Sequence, residues 1–166
     1  MEIPVHADGG LFWQGRRLRC ALGRGGVTTS KHEGDGATPA GILPLRHLLY
    51  RPDRTAAPAT RLPVSPLTPD DGWCDDPDDA LYNQAVARPY AGGHEVLWRP
   101  DHVYDVIVIL GYNDDPPRPG LGSAIFLHVA SPGYGPTEGC VALRLDDLLA
   151  VVADCGTETR LRINQD

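Results

Sequence analysis

The chain has 166 residues, 42% of them hydrophobic, and fifteen basic against twenty-two acidic side chains give it a formal net charge of -7. That length suits one domain, residues 1–166, with a core large enough to stand without staples, and the acidic balance argues against a nucleic-acid footprint or an anionic membrane surface. No stretch approaches the roughly twenty apolar residues of a membrane helix, so small molecules, peptides or sugars are the partners to expect.

The opening MEIPVHADGG lacks the basic-then-apolar order of a signal peptide. Taken as the natural start it predicts a cytoplasmic protein, whereas a trimmed signal would make the protein periplasmic. Leu11 to Trp13 and Arg17 to Leu22, separated by a Gln14-Gly15 turn, predict a hairpin with one buried face. Six glycines between Gly23 and Gly41 mark a loop. Its lack of a Gly-Lys-Ser/Thr ending argues against a phosphate cradle. Ile42 to Tyr50 predicts a strand that Pro44 makes an edge or a bent one. Arg51 to Asp79, rich in Pro and Asp, predicts an irregular excursion. The six aspartates of residues 70–79 lack EF-hand spacing and predict a solvated acidic turn.

Val103 to Tyr112 is the strongest strand signal, its unbroken apolar centre predicting burial on both faces. A turn-rich segment leads to a second strand, Ala124 to Val129, expected to pair with it antiparallel. Asp146 to Cys155 predicts a helix capped by Asp146 and ended by Gly156, and Arg160 to Ile163 a closing strand. Together these elements make a mostly β (α+β) domain with one or two short helices.

Cys20, Cys74, Cys140 and Cys155 show no metal-like spacing, and His32, His94 and His102 lie in loops without ligand spacing. The expectation is reduced thiols, surface histidines, no metal and no cofactor. His128, near the end of an apolar run, and Cys140, after Gly139 and before another, each sit where a strand meets a loop. An imidazole that lowers the cysteine pKa makes a nucleophile, and a glycine beside it lets backbone N–H groups face an oxyanion. A small buried cysteine and a core histidine are the plainer alternative, and spacing alone favours it.

The surrounding residues are more specific. His128 followed by Thr137-Glu138-Gly139-Cys140-Val141 resembles the signature of the L,D-transpeptidase (YkuD-type) family. Ala37-Thr38-Pro39-Ala40-Gly41 is similar to that family's Thr-Pro-x-Gly segment. The set KHEGDGATPAG, GWCDDP with Tyr82-Asn83, GYNDDP, and IFLH with PTEGCVAL resembles in particular a proteobacterial branch, over about Lys31 to Leu149. The resemblance implies an L,D-transpeptidase-like β-sandwich or barrel acting on peptidoglycan stem peptides or muropeptides. Cys140 would attack the bond after the meso-diaminopimelate centre and expel a terminal D-alanine, with His128 as base. Transfer to water trims the stem (L,D-carboxypeptidase), slightly favoured for a cytoplasmic protein, and transfer to an amine makes a cross-link.

On the same resemblance Gly139 and Cys140 supply oxyanion donors, and backbone near Thr137 or Glu138 orients the imidazole. Two departures stand out. Many members have His where this chain has Glu138, and Arg where it has Ala142, so Arg144 becomes the candidate for a substrate carboxylate and Glu138 a candidate partner of His128. Tyr112, Asn113, Asp75, Asp76, Tyr82, Asn83 and Tyr134 are the remaining candidate substrate contacts. Tyr112 and Asn113 follow the strongest strand, where a turn needing Asn is an equal reading. A non-catalytic peptidoglycan-binding module is the competing class, and a histidine metal hydrolase has least support.

Overall fold

The computed structural model describes residues 1–165. Strands β1 (Glu2–His6), β2 (Gly10–Trp13) and β3 (Arg16–Ala21) open the chain as an antiparallel meander. The predicted hairpin is β2–β3, and its two turn residues Gln14 (φ 48) and Gly15 (φ 72) are both left-handed. Two positive-φ residues in a two-residue turn match the right-handed twist of the flanking strands. Within the glycine-rich loop, β4 (Val27–Thr28) and β5 (Thr38–Pro39) form a short parallel pair. Next come β6 (Gly41–Tyr50), β7 (Val64–Pro66), β8 (Asp71–Cys74), β9 (Ala85–Ala87) and β10 (His94–Val96). Then follow β11 (Val106–Leu110), β12 (Phe126–Val129), β13 (Val141–Leu143), the helix α1 (Leu145–Ala153) and β14 (Arg160–Ile163).

The main sheet runs β11-β12-β13-β3-β2-β1-β14-β6-β7, and β11 also pairs with β6. That extra ladder closes eight of the strands into a barrel, leaving β7 hung outside on β6. Closure satisfies strand edges that would otherwise stay open. The joint is β6, whose residues Gly41 to Pro44 pair with β14 while Leu45 to Tyr50 pair with β11. Pro44 sits at the change of partner, next to a register shift in β11 between Ile109 and Leu110. The strand is therefore bent there as expected, but it is not an edge strand. The missing Pro44 N–H falls at the bend, and its carbonyl accepts from Gly111 N–H at 2.7 Å.

One apolar cluster fills the barrel, with Val106, Val108, Leu127, Val129 and Leu143 meeting Leu148, Val151 and Val152 of α1. A second lies outside the wall, where Ile107, Phe126 and Cys140 meet Leu67, Trp73, Leu97 and Tyr104. β11 and β12 are thus buried on both faces, the physical reason for their unbroken apolar runs. They pair antiparallel, with Ile107 opposite His128.

Three expectations are corrected. The excursion 51–79 contains β7 and β8, and β8 is the centre of a small sheet β10-β8-β9. Residues 70–79 are accordingly not just a solvated turn: Trp73 and Cys74 are buried, because pairing on both sides of β8 outweighs its Asp-Gly composition. In α1 the residue at the N-cap is Arg144, with no side-chain capping bond. Asp146 and Asp147 lie in the first turn, where their charge favours the helix dipole.

Candidate functional site

β12 and β13 run parallel, with Leu127 opposite Val141 and His128 opposite Ala142. The loop between them turns back through a single 3-10 turn, Pro132–Tyr134. Cys140 therefore enters the ladder two positions before the partner of His128. Alternate residues of a strand share a face, so His128, Phe126 and Cys140 stand on the outer side of the barrel wall. His128 and Cys140 both line a cavity of 510 Å³.

The turn that delivers Cys140 is tightly specified. Thr137 Oγ1 donates to the Cys140 carbonyl at 2.7 Å and accepts from Gly139 N–H at 3.1 Å. Thr137 itself is tied to β3's end by its N–H to Leu22 O (2.9 Å) and its carbonyl from Arg24 N–H (2.8 Å). Gly139 has φ 135, and a Cβ there would come within 2.8 Å of the Ala37 carbonyl oxygen, so glycine is required twice over. The Thr-Pro segment supplies that wall: Thr38, fully buried, accepts from Gly23 N–H through Oγ1 at 2.8 Å and donates its own N–H to Gly26 O at 2.8 Å.

Cys140 Sγ accepts from Phe126 N–H and donates to Ala124 O, each at 3.3 Å. Burial pushes its thiol up to about 12 and the His128 imidazole down to about 4. At neutral pH the pair is therefore thiol and neutral imidazole, not the thiolate expected from a Cys–His pair. His128 Nδ1 lies 2.9 Å from the carbonyl of Val129. A carbonyl can only accept, so Nδ1 carries the proton and Nε2 is left as the basic nitrogen. Tyr104 packs edge-on against His128, with ring centroids 5.3 Å apart. The imidazole is thus oriented by Val129 and Tyr104, and the backbone around Thr137 and Glu138 is occupied elsewhere.

Gly139 N–H, taken by Thr137, is not available to an oxyanion in this arrangement. The Cys140 N–H donates to no protein group among the described residues. Glu138 does not face His128: it is exposed and forks onto Arg24, with contacts of 2.7 to 3.0 Å.

Of the other sequence candidates, Asp75 lines the cavity with Thr137, Glu138, His128 and Cys140. Asp76 does not, and accepts from Asp78 N–H in a turn. Asn83 is a buried clip, accepting from Trp73 Nε1 and Ala124 N–H at 3.0 Å and donating to the carbonyls of Tyr112 and Asn113. Tyr82 donates its hydroxyl to Glu33. Tyr112 and Asn113 hold the loop to Gly122, through Leu121 O, Arg118 and Gly122 O. Tyr134 lies under the Arg19 guanidinium, 4.4 Å from its ring, and Arg144 is exposed with Asp146 at 3.6 Å. None of these last six lines the cavity.

The cavity instead draws on residues the sequence reading passed over: Lys31, Glu33, Glu95, Arg99, Tyr104 and Ser123. Lys31 and Glu33 were visible as charges inside a glycine loop. Arg99, not Arg144, is the arginine at the cavity, and no local pattern announces it, Glu95 or Tyr104. Among the described residues no group of histidines, cysteines and carboxylates is arranged to hold a metal ion, and no helix is long and apolar enough to cross a membrane.

The fold and this pair together define a class, a closed β-barrel with a thiol and an imidazole on one outer face beside a polar cavity. A family model described as the L,D-transpeptidase catalytic domain, YkuD, matches residues 5–163. The chain belongs to that family, whose catalysis is on peptidoglycan. No curated protein and no solved structure gives a significant match.

Proposed function

We propose that the protein is a cysteine acyltransferase that cleaves the L,D bond of a peptidoglycan tetrapeptide and releases terminal D-alanine, with Cys140 as nucleophile and His128 as base. The observation that carries this reading is the His128 Nδ1 contact to Val129 O, which leaves Nε2 as the basic nitrogen of a residue that lines the same cavity as Cys140. Attack moves the Sγ proton from Ala124 O to Nε2 as the S–C bond forms, and the Cys140 N–H, which has no protein acceptor among the described residues, donates to the oxyanion. Collapse breaks the C–N bond, the leaving amine takes the proton from Nε2, and a thioester remains. Water then attacks with His128 again as base, restoring the thiol and giving an L,D-carboxypeptidase.

The test is incubation with a disaccharide tetrapeptide, alone and with an acceptor amine, followed by mass spectrometry. Tripeptide from the wild type and none from Cys140→Ala is the expected result. A cross-linked dimer would shift the acceptor to an amine. Unchanged tetrapeptide in both reactions would sink the enzymatic reading and leave a binding module.

A further inference from the structure

Tyr104 stands between His128 and the small sheet. Its ring meets His128 and Phe126 edge-on, with centroids 5.3 and 6.0 Å apart, and the Arg99 guanidinium lies over it at 5.2 Å. The residue is 6% exposed. Its hydroxyl donates to Glu95 Oε1 on β10, opposite Trp73 of β8. The hydroxyl is thereby committed to Glu95, and Tyr104 meets the imidazole through its ring.

The backbone leading to Tyr104 is fixed by other groups. Arg51, 4% exposed, stacks on Trp98 at 3.7 Å and donates to the Arg99 carbonyl at 2.7 Å. Arg54 donates to the carbonyls of Pro100 and Asp101 and pairs with the buried Asp105 at 2.7 Å. Val103 O accepts from Val129 N–H at 3.0 Å, one residue past His128. Arg51, Arg54 and β12 thus hold the chain, whereas the Tyr104 side chain has one polar anchor among the described residues, Glu95.

That anchor is stronger than packing requires. A buried tyrosine is satisfied by any neutral acceptor, while a carboxylate in a partly desolvated place is costly. Burial raises the Glu95 carboxyl, against the pull of Tyr104 and Arg99. Glu95 joins no ion pair among the described residues, since Arg99 forks onto Asp101 at 2.6 and 2.9 Å. A charge-assisted bond is about twice as strong as a neutral one, so the carboxylate fixes the phenol more firmly. The imidazole needs that firmness, because the Nδ1 contact to Val129 O alone leaves its ring free to rock, and the Tyr104 edge limits the rocking.

We infer that Glu95 is a positioning residue for His128: through Tyr104 it holds the imidazole in the orientation in which Nδ1 donates to Val129 O and Nε2 stays basic. This rests on the acyl-transfer reading of the site and gives the small sheet a part in it.

The test measures kcat and KM on the disaccharide tetrapeptide for Glu95→Ala, Tyr104→Phe, the double variant and Glu95→Gln. The His128 tautomer is read separately by nitrogen NMR at pH 7, without substrate. Each of Glu95→Ala and Tyr104→Phe should lower kcat about tenfold and change KM less than about twofold, as expected for a misplaced base. The double variant should be no slower than either single one, because both break the same connection. Glu95→Gln, which still accepts from Tyr104, should recover most of the Glu95→Ala loss. In the wild type Nε2 should carry no proton, and in Glu95→Ala and Tyr104→Phe a fraction protonated at Nε2 should appear. Tyr104→Phe keeps the ring, and an unchanged melting temperature checks the fold. An unchanged kcat or tautomer in Glu95→Ala, a loss confined to KM, losses that add in the double variant, or no recovery in Glu95→Gln would overturn the inference. Absence of product from the wild type would instead strike the acyl-transfer reading, and the tautomer would then decide the positioning alone.

Discussion

At the scale of single residues, the proton distribution between Cys140 and His128 governs what the site can do at rest. A thiol raised to about 12 has a thiolate fraction at pH 7 about a thousandfold below that of an ordinary cysteine. Iodoacetamide should therefore alkylate Cys140 slowly in the folded protein at pH 7 and much faster in urea, read by peptide mass spectrometry. Rapid labelling of the folded form would mean that the pair rests as thiolate and imidazolium instead. The histidine makes a separate prediction. Its imidazole takes a proton below about pH 6.5 in the unfolded chain but only near pH 4 when folded, because of burial. The unfolded state thus binds more protons between these values, and stability should fall as pH drops from 6.5 to 4, by about 3 kcal/mol in all. Urea unfolding at pH 7 and 4.5 should show this loss, and His128→Gln should flatten it; an equal loss in the variant would place its origin elsewhere.

At the scale of elements, the Cys140 turn is held by one residue from each of two distant segments. Gly139→Ala puts a Cβ 2.8 Å from Ala37 O at φ 135 and should cost roughly 1–3 kcal/mol. Thr38→Val deprives Gly23 N–H of its acceptor in a fully buried place and should cost about 1–3 kcal/mol. Both are measurable by chemical denaturation, and a change below a few tenths in either would show that the turn relaxes around it. β11, β12 and the β2–β3 hairpin are legible in the sequence because their patterns and turn residues act locally. β8 is not, since an Asp-Gly-Trp-Cys stretch becomes a central strand only once β9 and β10 lie on its two sides. The same division holds at the site. Cys140 and His128 stand in a recognisable motif, whereas the pairing of Glu138 with Arg24 joins residues 114 apart and Tyr104 reaches His128 only through the stacking of a loop on the barrel.

At the scale of the whole molecule, the barrel and the small sheet differ in how firmly they are held. Val106, Val108 and Leu127 are fully buried in a ring of strands without open edges, whereas Ala85 and Ala87 of β9 are exposed on a three-residue strand. Native-state hydrogen exchange should find the amides of β11 and β12 released only by global unfolding and those of β9 and β10 released earlier. The opposite order would mean that the small sheet, which carries Glu95 and precedes Asp75, is the firmer body.

The parallel pairing of β12 with β13 has a bearing on how such a site can change. His128 and Cys140 are spaced by ladder register, which moves only in steps of two residues if both side chains are to keep their face. The connection between the strands is under no such rule. Its residues Ser131, Gly135 and Pro136 line the cavity, but its length does not set where His128 and Cys140 stand. Insertions around Gly133 can therefore reshape what enters the cavity while the His128 and Cys140 side chains keep their spacing, so that one pair of strands holds the pair fixed and its connection is free to vary.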